Sequence, residues 1–325
     1  MTDTSTETSE DTILGALLGT AVGDALGMPV EGLSHQNVRT YYKGIKEYRD
    51  DDQRGDLTAG QWTDDTQLTF ALVRAMTAAT PSDWPAAVAR EYVALRDQAR
   101  RWGPTTTAAV DRLADGAPPT DAGGEDRPTD GAAMRAAPLG AWWAITDASR
   151  ETAFETVRAM LGVTHRHPVA LVAGWGQVAA VRHLLTRTLD SFDQTEFWAM
   201  LLGATTDAEA QLGAEPRVSD RLRRLEEQLD AFPLDLRDAC DGVSVRAEDA
   251  WPFACAMVAR RPQLLENTLL SGINVGGDAD TTGAMMGALL GALHGWEAFP
   301  AEWKEGLEAV DRLQSEARAF ADVLL

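Results

Sequence analysis

Asn274-Val-Gly-Gly-Asp278-Ala-Asp280-Thr281-Thr-Gly283-Ala-Met-Met-Gly287-Ala-Leu-Leu-Gly291-Ala-Leu-His-Gly295 is the stretch on which the reading of this chain turns. Its second half is apolar, lacks proline and carries glycine at every fourth position: Gly283, Gly287, Gly291 and Gly295. That spacing puts the four on one face of a helix. A helical glycine costs about 1 kcal/mol against alanine, so a row of them predicts a second helix packed unusually close. The first half is a glycine-bearing turn that delivers two carboxylates and a hydroxyl to the helix start. Such side chains cap free N–H groups and suit the helix dipole. One cap needs one such residue, however, and two carboxylates with a hydroxyl also suit a hard divalent cation. Taken alone, the stretch stands closer to capping than to metal binding.

Working outward, the same glycine device appears near the other end of the sequence. A helix over Ile13–Leu26, capped by Asp11 or Thr12, carries Gly15, Gly19, Gly23 and Gly27 on one face. The two striped helices are expected to be central, touching each other or each a neighbour of the same kind. Asp24 interrupts the first helix near its end, and Met28-Pro29-Val30-Glu31-Gly32 stops it, leaving Glu31 at a helix terminus. A second acidic cluster then follows, Gly60-Gln-Trp-Thr63-Asp64-Asp65-Thr66, running into a helix over Gln67–Ala79 with Leu68, Leu72, Val73 and Met76 at helical spacing. Asp64 and Asp278 are 214 residues apart (278 − 64). Two oxygen-rich clusters, each at a helix start, are hard to explain as capping twice over. A shared divalent-metal site between the two loops, binuclear in form, is the better reading.

Between these ends the pattern stays helical: Pro85–Arg100, Thr105–Ala114, Glu151–Leu161, a long helix after Pro168, Asp249–Ala259, Pro262–Leu270, and a last one over Ala301–Val323. Gly116-Ala-Pro-Pro-Thr-Asp-Ala-Gly-Gly-Glu-Asp-Arg-Pro reads as a mobile surface loop. Gly131-Ala132-Ala133-Met134 is a small-residue turn at a helix start, a place where backbone N–H groups meet a phosphate. His165 and His167 flank an arginine before a proline break and read as a site wall. Strand alternation is nearly absent. Roughly a dozen helical segments make the chain all-α, one compact domain over residues 12–325 after a disordered acidic tail, Thr2–Asp11.

The 325 residues are 45% hydrophobic and 24% charged, enough for a packed core. No apolar run is expected to span a bilayer, Gly283–Gly295 being too short, and the acidic N-terminus does not read as a signal peptide. The net charge of −21 argues against general nucleic-acid binding, which needs lysine and arginine against phosphates. Cys240 and Cys255 suggest neither a disulfide framework nor a zinc cluster, so a cytoplasmic location is expected.

In this order, Gly19-Thr-Ala-Val-Gly-Asp-Ala-Leu-Gly27 with Glu31, Trp62-Thr-Asp-Asp-Thr66, Gly131-Ala-Ala-Met-Arg135, Thr164-His165 and Gly276-Gly-Asp-Ala-Asp-Thr281 resemble the ADP-ribosylglycohydrolase family. The resemblance covers residues 13 to 295. It implies a compact orthogonal helical bundle whose cleft holds two Mg²⁺ or Mn²⁺ ions. Thr63, Asp64 and Asp65 would hold one ion, and Asp278, Asp280 and Thr281 the other, with Asp280 bridging. Glu31 matches the family's mobile glutamate and, with Asp65, is the candidate catalytic carboxylate. Gly131, Ala132, Ala133 and Met134 match a diphosphate-binding segment, His165 a residue lining the ADP-ribose cleft, and Asp97 the family's guanidinium-contacting aspartate. The implied reaction is metal-dependent hydrolysis of a ribosyl C1″ bond, through an oxocarbenium-like state, in an ADP-ribosylated protein or small molecule. It releases ADP-ribose and needs no membrane partner; a monomer is expected. The alternatives are a non-catalytic, crystallin-like ADP-ribose binder and a metal-dependent hydrolase of another nucleotide-type substrate.

Overall fold

Glycine faces decide how the core is assembled. The computed structural model describes residues 9–325, and seventeen of its elements there are α-helices. Pairing of extended backbone among these residues is confined to three isolated bridges, Ser34 with Gly276, Gly124 with His165 and Thr129 with Arg246. The first helices are α1 (Glu10–Gly27), α2 (His35–Asn37), α3 (Asp64–Ala78), α4 (Trp84–Leu95), α5 (Pro104–Ala114), α6 (Pro119–Ala122), α7 (Ala137–Ile145), α8 (Arg150–Leu161) and α9 (Pro168–Leu185). The remainder are α10 (Gln194–Leu212), α11 (Arg217–Glu226), α12 (Pro233–Ala239), α13 (Ala247–Arg260), α14 (Leu265–Ile273), α15 (Ala279–His294), α16 (Ala301–Gly306) and α17 (Val310–Leu324). A single core runs through this one compact domain.

The two striped helices touch each other, antiparallel, at the centre. A Cβ on Gly15 would stand 2.2 Å from the Gly291 carbonyl oxygen, one on Gly19 2.2 Å from that of Gly287, and one on Gly23 1.9 Å from that of Gly283. Gly27 faces the Ala279 carbonyl in the same way at 2.2 Å. No side chain larger than hydrogen fits at these contacts. From Ile13 to Gly27 every residue of α1 is buried, as is α15 from Ala279 to Leu293. Helices α3, α7 and α17 pack on α1, while α9, α13 and α14 pack on α15. The antiparallel register has a direct consequence for chemistry. It sets the C-terminal end of α1, with Asp24, beside the N-terminal end of α15, with Asp280.

Several boundaries differ from the sequence expectation, each for a local reason. Ser9, not Asp11 or Thr12, caps α1, in a reciprocal pair with Thr12. Asp11 instead accepts a bond from Glu297 N (3.1 Å), tying down the chain beyond α15. The expected disordered stretch Thr2–Asp11 lies mostly outside the described residues; Glu10 and Asp11 form the first turn of α1. The expected helix over Pro85–Arg100 ends at Leu95 and tightens into a 3-10 turn, Arg96–Gln98. The last expected helix is two, broken where Ala309 adopts φ 56°. The loop expected to be mobile is held: Gly124 N donates to Thr164 O (2.9 Å) and Arg166 N to Gly124 O (2.7 Å).

The expectation that no run is long and apolar enough to cross a bilayer is corrected. Glu10–Val30 spans 21 residues, contains an 18-residue window of mean hydropathy 1.6, and qualifies by length and composition. That window is wholly buried inside the bundle, while Glu10 at its start is exposed. Its glycines conceal the run from a search for large apolar side chains, and α15 covers them.

Candidate functional site

Asp64 and Asp65 begin α3, and neither caps it; the Thr63 side chain makes no cap bond either. The cap comes from another helix. Asp24, fully buried on α1, lies 3.0 Å from Thr63 N with both carboxylate oxygens. Its Oδ1 is 2.9 Å from the Thr63 hydroxyl, and its Oδ2 accepts from Thr66 N at 3.0 Å and the Thr66 hydroxyl at 2.6 Å. This sets the capping interpretation aside for the first cluster. At the second, Asp278 occupies the N-cap position of α15 without a side-chain cap bond. Asp280 Oδ1 accepts from Thr281 N (3.0 Å) in the first turn of α15, so one carboxylate serves that helix start and Asp278 is left over from it.

The loop carrying Asp278 is stitched to the loop carrying Glu31. Gly32 N donates to Gly277 O (2.7 Å) and Gly277 N to Leu33 O (2.8 Å). Gly276 and Gly277 both lie at positive φ, 77° and 79°, and a Cβ on Gly276 would stand 2.1 Å from Leu33 O. Only glycine meets both demands. The stitch brings Glu31 to the same cleft as Asp64, Asp278, Asp280 and Thr281, a cavity of about 180 Å³ that is also lined by Arg101, Thr105, Asp130, Gly131, Met134 and His165.

Thr63 and Asp65 lie behind that lining. Asp65 Oδ2 is 3.2 Å from the Thr63 hydroxyl and 3.4 Å from the Thr281 hydroxyl, which joins the two clusters directly. Its Oδ1 is buried with no donor. One oxygen from each of Asp24, Asp65 and Asp280 lies within 4.8 Å of the others. Asp24 already accepts from four groups, about the capacity of a carboxylate, so it is a platform for the α3 start rather than a free ligand.

No lysine or arginine among the described residues pairs with Asp24, Asp64, Asp65, Asp130, Asp278 or Asp280. Burial is the first cause that raises each of their pKa values, and neighbouring carboxylates add to it for most. Asp24 is pushed up to about 6 by burial against four hydrogen bonds that lower it. Asp64, Asp65 and Asp280 are raised well above the usual carboxylate range by burial and then by neighbouring carboxylates, Asp24 first for Asp64 and Asp65 and Glu31 first for Asp280. Asp130, buried against Asp278, is raised in the same way, and its Oδ2 has no partner. Buried carboxylates without counter-charge call for a cation or for protons. An all-oxygen donor set with an unused buried oxygen fits a hard divalent ion.

Glu31, at the rim, is held by Arg54 and, at 3.1 Å, by Arg101. Arg101 is itself anchored by Asp51 and Asp56. These arginines and Asp24 were not marked in the sequence as parts of the site. Their partners lie 23 to 70 residues away in sequence, and no local pattern announces them.

The turn at Gly131 is less open than its sequence suggests. Ala133 N and Met134 N both donate to Asp130 O, at 2.7 and 3.1 Å. Gly131 and Met134 line the cleft; Ala132 and Ala133 are fully buried behind it. His165 lines the cleft. His167 does not; it accepts from Val169 N (3.2 Å) and caps α9. Asp97 is exposed and outside the cleft. A larger cavity, about 610 Å³, lies against α3 between Trp62, Arg74, Arg100 and Arg312. It contains none of the unpaired carboxylates and is not the chemical centre.

Comparison with known proteins agrees with this geometry. Residues 5–325 match the family described as ADP-ribosylglycohydrolase. An uncharacterized protein of Archaeoglobus fulgidus is 32% identical over 288 residues, covering 87% of each chain. The ADP-ribosylhydrolase ARH3 of Mus musculus is 29% identical over 298 residues, covering 80% of this chain and 78% of that protein. A solved structure described as an ADP-ribosylglycohydrolase-related protein complex superposes with a TM-score of 0.76 at 26% identity, covering 97% of this chain and 99% of the other.

Proposed function

The chain belongs to the ADP-ribosylglycohydrolase family, and from that premise we propose that it hydrolyses the ribosyl C1″ bond of an ADP-ribosylated acceptor and releases ADP-ribose. The observation that carries this reading is the meeting of two unpaired carboxylate clusters, from near opposite ends of the chain, in the cleft that also holds Gly131 and His165.

We assign two Mg²⁺ or Mn²⁺ ions to Thr63, Asp64 and Asp65 on one side and Asp278, Asp280 and Thr281 on the other. Such cations, when bound, polarise hydroxyl oxygens and lower the pKa of water at the site. The chain's own groups do the rest. Glu31 reaches the cleft from the loop stitched to that of Asp278, which supports it as the carboxylate that moves a proton at the scissile oxygen or nitrogen. Arg54 and Arg101 orient it. Asp65, deeper, has one uncommitted oxygen for the same work or for the cation. Gly131 and His165 bind the diphosphate of the ligand. The acceptor is a protein arginine or serine, or a small ADP-ribosyl compound. Exposed Asp97 gives no support to an arginine contact inside the cleft. Two free, buried cysteines fit work in a reducing compartment, the cytoplasm.

The test is a linkage panel. Peptides ADP-ribosylated on arginine or serine, and a free α-linked ADP-ribosyl compound, are incubated with the protein and Mg²⁺ or Mn²⁺. ADP-ribose release from at least one is expected, and Asp64→Ala or Asp280→Ala abolishes it. No release from any linkage defeats the proposal. Tight ADP-ribose binding without turnover would identify a non-catalytic binder instead.

A further inference from the structure

Arg135 is completely buried, yet no carboxylate pairs with it among the described residues. Its Nη1 donates to Gly131 O, and its Nη2 to Thr164 Oγ1 and, at 3.2 Å, to Leu161 O. Its Nε has no acceptor. The guanidinium lies 5.7 Å from the centre of the Tyr92 ring. A buried charge without a counter-charge is costly, so the position asks for a role beyond packing.

That role is legible in the hydrogen-bond directions. A guanidinium only donates. Thr164 Oγ1 accepts from Arg135 and still has its own hydrogen to give. His165 Nδ1 stands 2.8 Å from it, and 3.5 Å from Arg135 Nη1. Donors on both sides require Nδ1 to be an acceptor. The neutral ring therefore carries its hydrogen on Nε2. A second proton is disfavoured by burial and by the adjacent guanidinium, which hold the imidazole well below its ordinary pKa. The Nε2 end abuts the cleft turn: a Cβ on Gly131 would stand 2.5 Å from Nε2. Both His165 and Gly131 line the cleft.

We propose that Arg135 is a positioning residue which, through Thr164, fixes His165 as an Nε2–H donor to an anionic phosphate oxygen of the ligand, and that this anion answers the unpaired charge of Arg135. The identity of the ligand rests on the ADP-ribose reading of the cleft; the tautomer does not. On this account His165 binds and does not transfer protons.

Two measurements separate these parts. In ¹⁵N-histidine-labelled protein, long-range ¹⁵N–¹H spectra resolve the five histidines, and a His165→Gln spectrum assigns the signal. The expected pattern is unprotonated Nδ1 and protonated Nε2 at pH 7, with a neutral ring still at pH 6. Thr164→Val, nearly isosteric, should disturb that pattern. It should also weaken ADP-ribose binding with Mg²⁺, read by calorimetry, by about tenfold to a hundredfold, as loss of a hydrogen bond to a charged group does. In turnover it raises KM more than it lowers kcat. Arg135→Met should do the same more severely; if it fails to fold, Thr164→Val decides. A proton on Nδ1 in the native protein, or unchanged tautomer and affinity in Thr164→Val, overturns the proposal. Failure of native protein to bind ADP-ribose overturns its ligand half. The expected tautomer with ADP-ribose binding but no turnover on any linkage defeats the hydrolase reading and leaves this one standing.

Discussion

Asp24 accepts bonds from two backbone amides and two hydroxyls of Thr63 and Thr66, so one carboxylate carries the whole start of α3. In Asp24→Asn one oxygen becomes an NH₂ group that faces donors. Stability should fall by about 2–4 kcal/mol, since buried donors lose their acceptor. Mn²⁺ affinity should fall with it, because Asp64 and Asp65 are placed by that loop. Urea denaturation in EDTA and calorimetric titration check both; unchanged values would show that α3 holds its own start. Asp24 read in the sequence only as an interruption of an apolar helix. A polar residue there declares that it has partners, but its partners are 39 and 42 residues away. Thr63–Asp65 and Asp278–Thr281 were legible because each cluster exceeds what one cap requires. Arg135 gives no sign of its burial in the sequence, because a charged residue four positions after a glycine turn is ordinary on a surface.

At the scale of elements, the antiparallel contact of α1 and α15 rests on hydrogen where a methyl group would be. Gly19→Ala would place a Cβ 2.2 Å from Gly287 O, which forces two helix backbones apart. A loss above about 3 kcal/mol is expected, larger than ordinary overpacking because carbonyls cannot turn aside. Gly203→Ala on α10 is the control: the position is exposed, with no neighbouring atom within 4 Å. There helix propensity rules, and a gain of about 0.5–1 kcal/mol is expected. Thermal or urea unfolding of the two variants should move in opposite directions. The glycine period was legible in the sequence because a regular spacing survives any fold. Helix ends were less so. The breaks at Leu95 and Ala309 follow from tertiary contacts, such as Arg100 reaching Glu308 and Trp62, that no local run of residues encodes.

For the whole molecule, the carboxylate cluster ties stability to pH and metal together. Asp24, Asp64, Asp65, Asp130, Asp278 and Asp280 have pKa values raised by folding, the first to about 6. The native state therefore binds more protons than the unfolded chain once pH exceeds about 3.9. Their stabilising contribution is complete below that value and is lost as pH rises through the native pKa values. A divalent cation should reverse the loss by binding the deprotonated form. The rise in Tm on adding Mn²⁺ to EDTA-treated protein should be larger at pH 7.5 than at pH 5. An equal rise at both, or none, would remove the metal from this cluster. All-α architecture and a single core were legible at this scale from helical spacing alone. Which faces meet was legible only for α1 and α15, where glycine marks the contact.

That same contact imposes an order on the protein's making. The last residue of α1 and the first of α15 are 252 positions apart (279 − 27), so α1 leaves the ribosome well before its partner exists. At 5–20 residues per second the interval is roughly 13 to 50 s. For that time a run whose 18-residue window has mean hydropathy 1.6 lacks the surface that covers it. Neither half of the cleft can be tested against the other until synthesis is nearly complete.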